Sequence, residues 1–407
     1  MSNFKYKGNK LFVENIAIKN IVKKIKTPFY LYSRKRIEEN YKSFTRSFKN
    51  VDPLVCFSVK ANSNKKILRL LASLGSGADV VSGGELIKVL KSGIKPSKVV
   101  FSGVGKSYEE LSLAIKNRIL LINAESENEI ELIDKISKKF KRTTSVGIRL
   151  NPNIDAKTLK KISTGKADDK FGISEKNLMN ICKNIHKFKN IKLNALSVHI
   201  GSQILSDNPY KKTLTVLGKI IKNLKIKLKF IDLGGGFGIS YQKSDKKINL
   251  SDYSDQVNKF RKKFKCKIIF EPGRAIIGDT GILVSKIQYL KENKNKIFVI
   301  IDAGMNDFIR PALYDAVHEI APIIKNSKRN NKAVEFVGPI CESSCKFIKY
   351  RKYQKLEEGE FIAILNVGAY GSTLSSNYNT KPLIAEIIID RNNFKVIRKR
   401  QNLLDII

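Results

Sequence analysis

Eight short, nearly continuous apolar runs, each followed by a polar loop and then a segment of helical spacing, constrain this chain more than any other feature. The runs are "LVCFSVK" (54–60), "GADVVS" (77–82), "KVVFSG" (98–103), "ILLINAES" (119–126), "TSVGIRLN" (144–151), "NALSVHIG" (194–201), "KFIDLGGG" (229–236) and "KIIFEPGR" (267–274). Between them lie segments such as "NKKILRLLASLG", "GGELIKVLKSG" and "ENEIELIDKISKKF", apolar at three- and four-residue intervals. Strands covered on both faces by helices are apolar along their whole length rather than alternately. Eight such alternations predict an α/β fold, a parallel (β/α)₈ TIM barrel.

After residue 274 the alternation stops. Closely spaced β-type runs follow, "KIFVIIDAG", "AVEFVGPI", "EFIAILNVG" and "PLIAEIIID", separated by turn residues with little helix between. Residues 276–407 are therefore expected to form a second, mostly β domain. The barrel is assigned to 31–275. Residues 1–30 fit neither pattern and are expected to join the β domain. No fixed repeat or low-complexity linker interrupts the chain.

Functional groups of a (β/α)₈ barrel collect at the C-terminal ends of its strands. There the runs end in Lys60, in His199 with Ser202 beyond it, in Gly234, Gly235 and Gly236, and in "EPGR", Glu271, Pro272, Gly273 and Arg274. Each has an ordinary explanation: a solvated lysine, a structural histidine, a tight turn, an ion pair of Glu271 with Arg274. Together they match one need. A desolvated amine can join an aldehyde, successive bare N–H groups cradle a phosphate, and a carboxylate beside a pyridine nitrogen keeps that ring an electron sink. Those are the requirements of pyridoxal 5'-phosphate. The alternative, a dinucleotide, is disfavoured because "GGGFG" lacks the G-x-G-x-x-G spacing and does not open the first βα unit.

The motifs "FSVKAN", "GADVVSGGEL", "FSGVGK", "KFGI", "SVHIGSQI", "DLGGGFGISY", "FEPGRAIIGDTG", "DAGMNDFIRPALYDA", "VGPICESS" and "GAYGSTLSSNYN" run in order over nearly the whole length. With them the chain resembles the fold-type III pyridoxal-phosphate decarboxylases, whose barrel is alanine racemase-like, and within them the diaminopimelate decarboxylases. The resemblance implies that Lys60 carries the cofactor covalently, that His199 stacks on its ring and that Glu271 pairs with the ring nitrogen. Gly235, Gly236, Ser202 and Arg274 would surround the phosphate, with Tyr370 closing on it. Arg274, Arg310, Tyr314, Glu342 and Tyr370 would contact substrate. Cys341 would be the proton donor, presented with Glu342 by the other subunit of a homodimer with shared active sites. The activity implied is decarboxylation of meso-2,6-diaminopimelate to L-lysine, the last step of lysine biosynthesis.

The residue types suit that substrate, which carries an amino-acid group at each end. Arg310 offers a planar fork for the distal carboxylate, and Glu342 the opposite charge for the distal ammonium. An ornithine decarboxylase has no distal carboxylate to hold and usually has Asp where Glu342 stands. A racemase needs a base on each ring face, which His199 over one face opposes. A non-catalytic cofactor carrier would not need the β domain with "CESS" and "GAYG". Two positions depart from the family: Cys345 where Asp is common, and "KPL" (Lys381 to Leu383) where "RPR" often stands. The segment "STGKADDKFGI" (163–173), polar and on the expected active rim, is expected to act as a mobile lid.

The formal net charge of +40 raises nucleic acid as a partner. The lysines are scattered, however, and no arginine–aromatic platform or zinc motif accompanies them. Abundant Ile, Asn and Lys without Trp fits AT-biased coding. No membrane segment and no apolar leader core is visible. Five cysteines, an odd number without disulfide spacing, fit a reducing cytoplasm. Cys341 and Cys345 lack the further ligands a metal would need.

Overall fold

The computed structural model describes residues 4–156, 164–165, 169–224, 226–242, 244–245 and 248–407. Among these the chain divides into two compact units.

One unit, Tyr41–Ile239 with Lys246–Ala275, contains a closed parallel barrel. Its strands are Leu54–Ser58, Gly77–Val80, Val99–Phe101, Leu121–Ala124, Thr144–Arg149, Ile191–Ser197, Phe230–Asp232 and Lys267–Phe270. Each pairs with the next, and the last closes on the first through Ile269 opposite Leu54 and Phe270 opposite Val55. Every strand overlaps one of the eight apolar runs. Cys56, Val100, Leu121, Ala195, Phe230 and Ile269 form one buried cluster from six of them.

The helices after the second, third and fourth strands share a start signal. Ser82, Ser107 and Ser126 cap them, each hydroxyl accepting from the backbone N–H of a glutamate three residues on. At Ser107 the box is reciprocal, with Glu110 accepting from the Ser107 N–H. Elsewhere the glutamate reaches further back: Glu85 accepts from Val81 N and Glu129 from Glu125 N, both at 2.9 Å. At Ser82 and Ser126 these bonds tie the helix start to the strand end before it, and Glu110 instead reaches Gly83 N at the start of the preceding helix.

The other unit, Met1–Asn40, Ser240–Asp245 and Ile276–Ile407, is mostly β. Its main sheet runs Lys346–Tyr350, Ala333–Val337, Lys296–Ile301, Gly281–Glu292, Phe29–Ser33, Ala385–Asp390, Asn393–Arg398, and Phe361–Ile364 joins Gly281–Glu292 to Ile320–Pro322. Phe4–Lys7, Lys10–Val13 and Ile16–Ala17 form a separate antiparallel sheet. Leu11, Val13, Phe29, Leu31, Ile282, Ile387 and their neighbours make the core.

The boundary expected at residue 31 is corrected by this arrangement. Phe29–Ser33, buried at every position, lies within the β sheet between Gly281–Glu292 and Ala385–Asp390. The division comes between Asn40 and Tyr41, inside the helix Arg34–Ser47, and Ser240–Asp245 groups with the β unit as well. An apolar run declares that a strand is buried on both faces; it does not declare which sheet buries it. Among the described residues no helix is long and apolar enough to cross a membrane.

Candidate active site

The first barrel strand ends at Ser58, and a single 3-10 turn, Val59–Ala61, presents Lys60 just beyond it. The Lys60 side chain is 41% exposed, and its Nζ stands 3.8 Å from Asp79 Oδ2. Asp79, in the second strand, is 1% exposed. Its Oδ2 accepts from Ser58 Oγ at 2.7 Å, whereas its Oδ1 is buried with no hydrogen-bond partner among the described residues.

Two more carboxylates share this interior. Asp232 ends the seventh strand and accepts from Asn123 Nδ2 at 2.9 Å and from Gly234 N at 3.0 Å. Glu271 follows the eighth strand and accepts from Ser102 Oγ at 3.2 Å. The Glu271 and Asp232 carboxyls are near enough to influence each other's ionisation. Burial, and then the charges of Asp232 and Asp79, hold the Glu271 carboxyl well above its ordinary pKa; burial pushes Asp232 up to about 6. Burial and mutual repulsion thus both oppose ionisation of these carboxyls.

His199 lies two residues past the sixth strand. Its Nδ1 accepts from Gly235 N at 3.1 Å, so that nitrogen carries the lone pair. Burial first, then the charges of Lys60 and Arg149, hold its pKa well below the ordinary imidazole value, so the ring is neutral at pH 7.

The glycine loop admits no side chains. A Cβ on Gly235 would sit 2.1 Å from the Glu271 carbonyl oxygen, and one on Gly236 2.3 Å from that of Gly201. Gly234 (φ +65°) and Gly236 (φ +87°) also adopt the left-handed backbone. Glu271 N donates to Gly234 O at 2.8 Å, and Tyr210 Oη donates to Gly235 O at 3.1 Å. The Pro272 carbonyl accepts from Ser58 N, Gly273 follows, and buried Arg274 donates from Nη2 to Ser202 Oγ at 3.1 Å.

Arg310, Tyr314, Cys341, Glu342 and Tyr370 belong to the β unit. Arg310 opens the helix Arg310–Tyr314, is buried, and lies over the rings of Tyr241 and Tyr314 at 5.5 and 5.9 Å. Tyr370 has φ +56°, uncommon for a residue bearing a side chain. Cys341 and Glu342 are exposed. Glu342 accepts hydrogen bonds from the Tyr378 and Ser344 hydroxyls, which lower its pKa, Tyr378 the more. Cys345, the departure from the family pattern, is buried, and its Sγ accepts from Met305 N at 3.3 Å, so it braces this turn.

Of the segment 163–173, residues 163 and 166–168 lie outside the described residues. Thr164 donates to His199 O and Gly172 N donates to Glu125 Oε2. Sequence reading missed Asp79, Asn123, Asp232 and Tyr210. The two aspartates were findable, since "GADVVS" and "IDLGGG" place them at strand ends. Asn123 and Tyr210 carry no local signal.

The profile of the pyridoxal-dependent decarboxylase family, its pyridoxal binding domain, matches residues 34–278. A diaminopimelate decarboxylase of Helicobacter pylori is 44% identical over 94% of this chain and 95% of its own, and one of Haemophilus influenzae 40% identical over 100% and 98%. Among solved structures, the Helicobacter pylori diaminopimelate decarboxylase complexed with L-lysine superposes with a TM-score of 0.91, at 42% identity over 96% of this chain and 98% of that one. The enzyme of M. jannaschii, also in complex with L-lysine, gives 0.92 at 33% identity over 99% and 96%. A match over most of the chain, to the family profile and to relatives of nearly equal length, shows that the chain belongs to the fold-type III pyridoxal-phosphate-dependent decarboxylases, in the diaminopimelate decarboxylase family.

Proposed function

We propose that this enzyme decarboxylates meso-2,6-diaminopimelate to L-lysine and CO₂ with pyridoxal 5'-phosphate, in the cytoplasm, as a homodimer with shared active sites. The observation that carries it is the set of groups on one barrel rim: an accessible Lys60 amine, a neutral His199 and a buried carboxyl cluster ending in Glu271.

The cofactor fits that set on two observations. A cluster whose carboxyls are held above their ordinary pKa values is short of positive charge, and a protonated ring nitrogen beside Glu271 supplies it. A glycine loop packed so closely on neighbouring backbone that a Cβ would collide lets a phosphate approach its main chain, with Gly234 N and Gly235 N already donating to Asp232 and His199. Lys60 would hold the aldehyde carbon, His199 the ring face, and Gly235, Gly236, Ser202, Arg274 and Tyr370 the phosphate. When bound, the cofactor supplies an electron sink for the bonding pair released as the Cα–carboxylate bond breaks.

The chain's own groups do the rest. Neutral His199 would face the ring without adding a second positive charge. Glu271, held by Ser102, would keep the ring nitrogen protonated. Arg310 holds the distal carboxylate in a planar fork, and Tyr314, Arg274 and Tyr370 complete the substrate contacts. Glu342 takes the distal ammonium. Cys341, or Lys60, gives a proton to Cα after CO₂ has left and is reprotonated from solvent. The exposure of Cys341 and Glu342 supports their presentation to the site of a partner subunit.

Assay of CO₂ release and L-lysine formation from meso-diaminopimelate tests the reading, with ornithine and L-lysine as competing substrates. Preference for either competitor overturns it.

A further inference from the structure

We propose that His318 is a positioning residue for the distal-carboxylate contact: as a neutral imidazole accepting at Nε2, it fixes the plane of the Arg310 guanidinium. The inference rests on the reading of Arg310 as the partner of the distal carboxylate.

His318 is 1% exposed. Its ring is held edge-on by Phe308, 4.7 Å away at 86°, and by Tyr241, 4.9 Å away at 72°. Its Nδ1 lies 2.9 Å from the Leu365 carbonyl oxygen, which can only accept, so Nδ1 carries a proton. Its Nε2 faces Arg310 Nε at 3.4 Å, and a guanidinium can only donate, so Nε2 carries the lone pair. The tautomer is therefore set from both ends. A protonated His318 would meet the Arg310 N–H with a second N–H.

A guanidinium is a rigid plane of five donors, and its orientation decides whether a carboxylate meets two N–H groups or one. The rings of Tyr241 and Tyr314 lie against its π-system. His318 binds at the Nε edge, where rotation about the last side-chain torsion is felt. Tyr241 touches both partners, which makes Ser240–Asp245 part of the device. The reacting carbon is at the other end of the substrate, so His318 acts on substrate binding rather than on the chemical step.

Two isosteric variants separate this role from packing. In His318→Asn the amide nitrogen replaces Nδ1, keeping the bond to Leu365 and losing the acceptor for Arg310. In His318→Gln the amide oxygen replaces Nε2, keeping the acceptor and losing the bond to Leu365. Steady-state kinetics of the holoenzymes on meso-diaminopimelate should give His318→Asn a KM raised roughly tenfold with kcat within about twofold, because an unanchored fork loses binding shared by ground and transition states. His318→Gln should stay within about threefold of wild-type KM, its acceptor being restored. The double variant Arg310→Lys/His318→Asn should be no worse than Arg310→Lys, within about twofold, since His318 acts through Arg310. Wild-type KM in His318→Asn, or an Asn variant better than the Gln variant, overturns the proposal while the Arg310 reading stands on Arg310→Lys alone. A wild-type KM in Arg310→Lys overturns that reading, and this inference with it.

Discussion

Two glutamates assigned to one reaction occupy opposite environments. Glu271, on the barrel, is buried among Asp232, Asp79, Ser102 and Asn123, and its carboxyl is driven well above its ordinary pKa. Glu342, in the β unit, is exposed on a turn with Cys341, and the hydroxyls of Tyr378 and Ser344 draw its pKa down. In the barrel region, strand ends, serine caps and a glycine loop hold the groups. The "CE" turn is a presented surface, braced by Cys345 but open to solvent. We read the first as the cofactor half of the site and the second as the half offered to a partner subunit. The difference teaches that a buried charge cluster needs a ligand to balance it, whereas an exposed one needs a ligand to desolvate it.

The contrast breaks most readily at Lys60. Lys60→Ala should lose covalent cofactor attachment and at least roughly a thousandfold in kcat/KM. Borohydride reduction and peptide mapping of the wild type should label Lys60; label elsewhere removes the barrel half of the comparison.

Subunit mixing tests the other half. Lys60→Ala homodimers should be inactive and Glu342→Ala homodimers strongly impaired. After verified exchange between differently tagged subunits, half the population is heterodimer with one intact site, and activity should recover to roughly a quarter of wild type. Absence of recovery, with exchange shown, means that both groups act within one chain.

Arg310→Lys keeps the charge and loses the planar fork. We expect kcat/KM on meso-diaminopimelate to fall roughly 30- to 100-fold. An unchanged value would remove Arg310 from the recognition of the distal carboxylate.

A smaller effect sharpens the electrostatic contrast. Glu85, its carboxyl raised to about 7 chiefly by burial, accepts from Val81 N at 2.9 Å. A carboxyl whose folded pKa exceeds its unfolded value binds its proton more tightly when folded. Its stabilising contribution is complete below pH 4.5 and is lost as pH rises from there to about 7. Glu85→Gln keeps an acceptor for Val81 and should abolish that decline, a difference of at most roughly 3 kcal/mol at and above pH 7. Thermal unfolding of the cofactor-free protein across that range measures it; parallel curves for the two proteins would contradict it.

The smallest expected change is at the exposed carboxylate. Tyr378→Phe removes the larger cause of the lowered Glu342 pKa, which should rise toward 4.5. Carbon-detected NMR titration reads this directly, and an unmoved titration would show that Tyr378 does not hold Glu342.

Much of this was open to reading from the residues in order. All eight barrel strands overlap the apolar runs, because a strand buried on both faces cannot hide its composition, although the sixth starts three residues ahead of its run. Lys60, His199, Gly234–Gly236 and Glu271 were legible as a group because barrel strand ends share one rim. The strand Phe29–Ser33 straddles the boundary drawn at residue 31, and only its pairing with Gly281–Glu292 and Ala385–Asp390 places all of it in the β unit.

The amino-acid sequence by itself thus determined the barrel, the residue types at its rim and the chemistry they suit, all of which depend on local pattern and chain order. Only the tertiary structure decided the charge state of that rim and the tautomer of His318. Asp79, Asn123, Asp232 and Glu271 come from four different strand ends, and Arg310, His318, Tyr241 and Leu365 from separate segments. Desolvation and hydrogen-bond direction depend on what surrounds a group in space, and no local pattern carries that information.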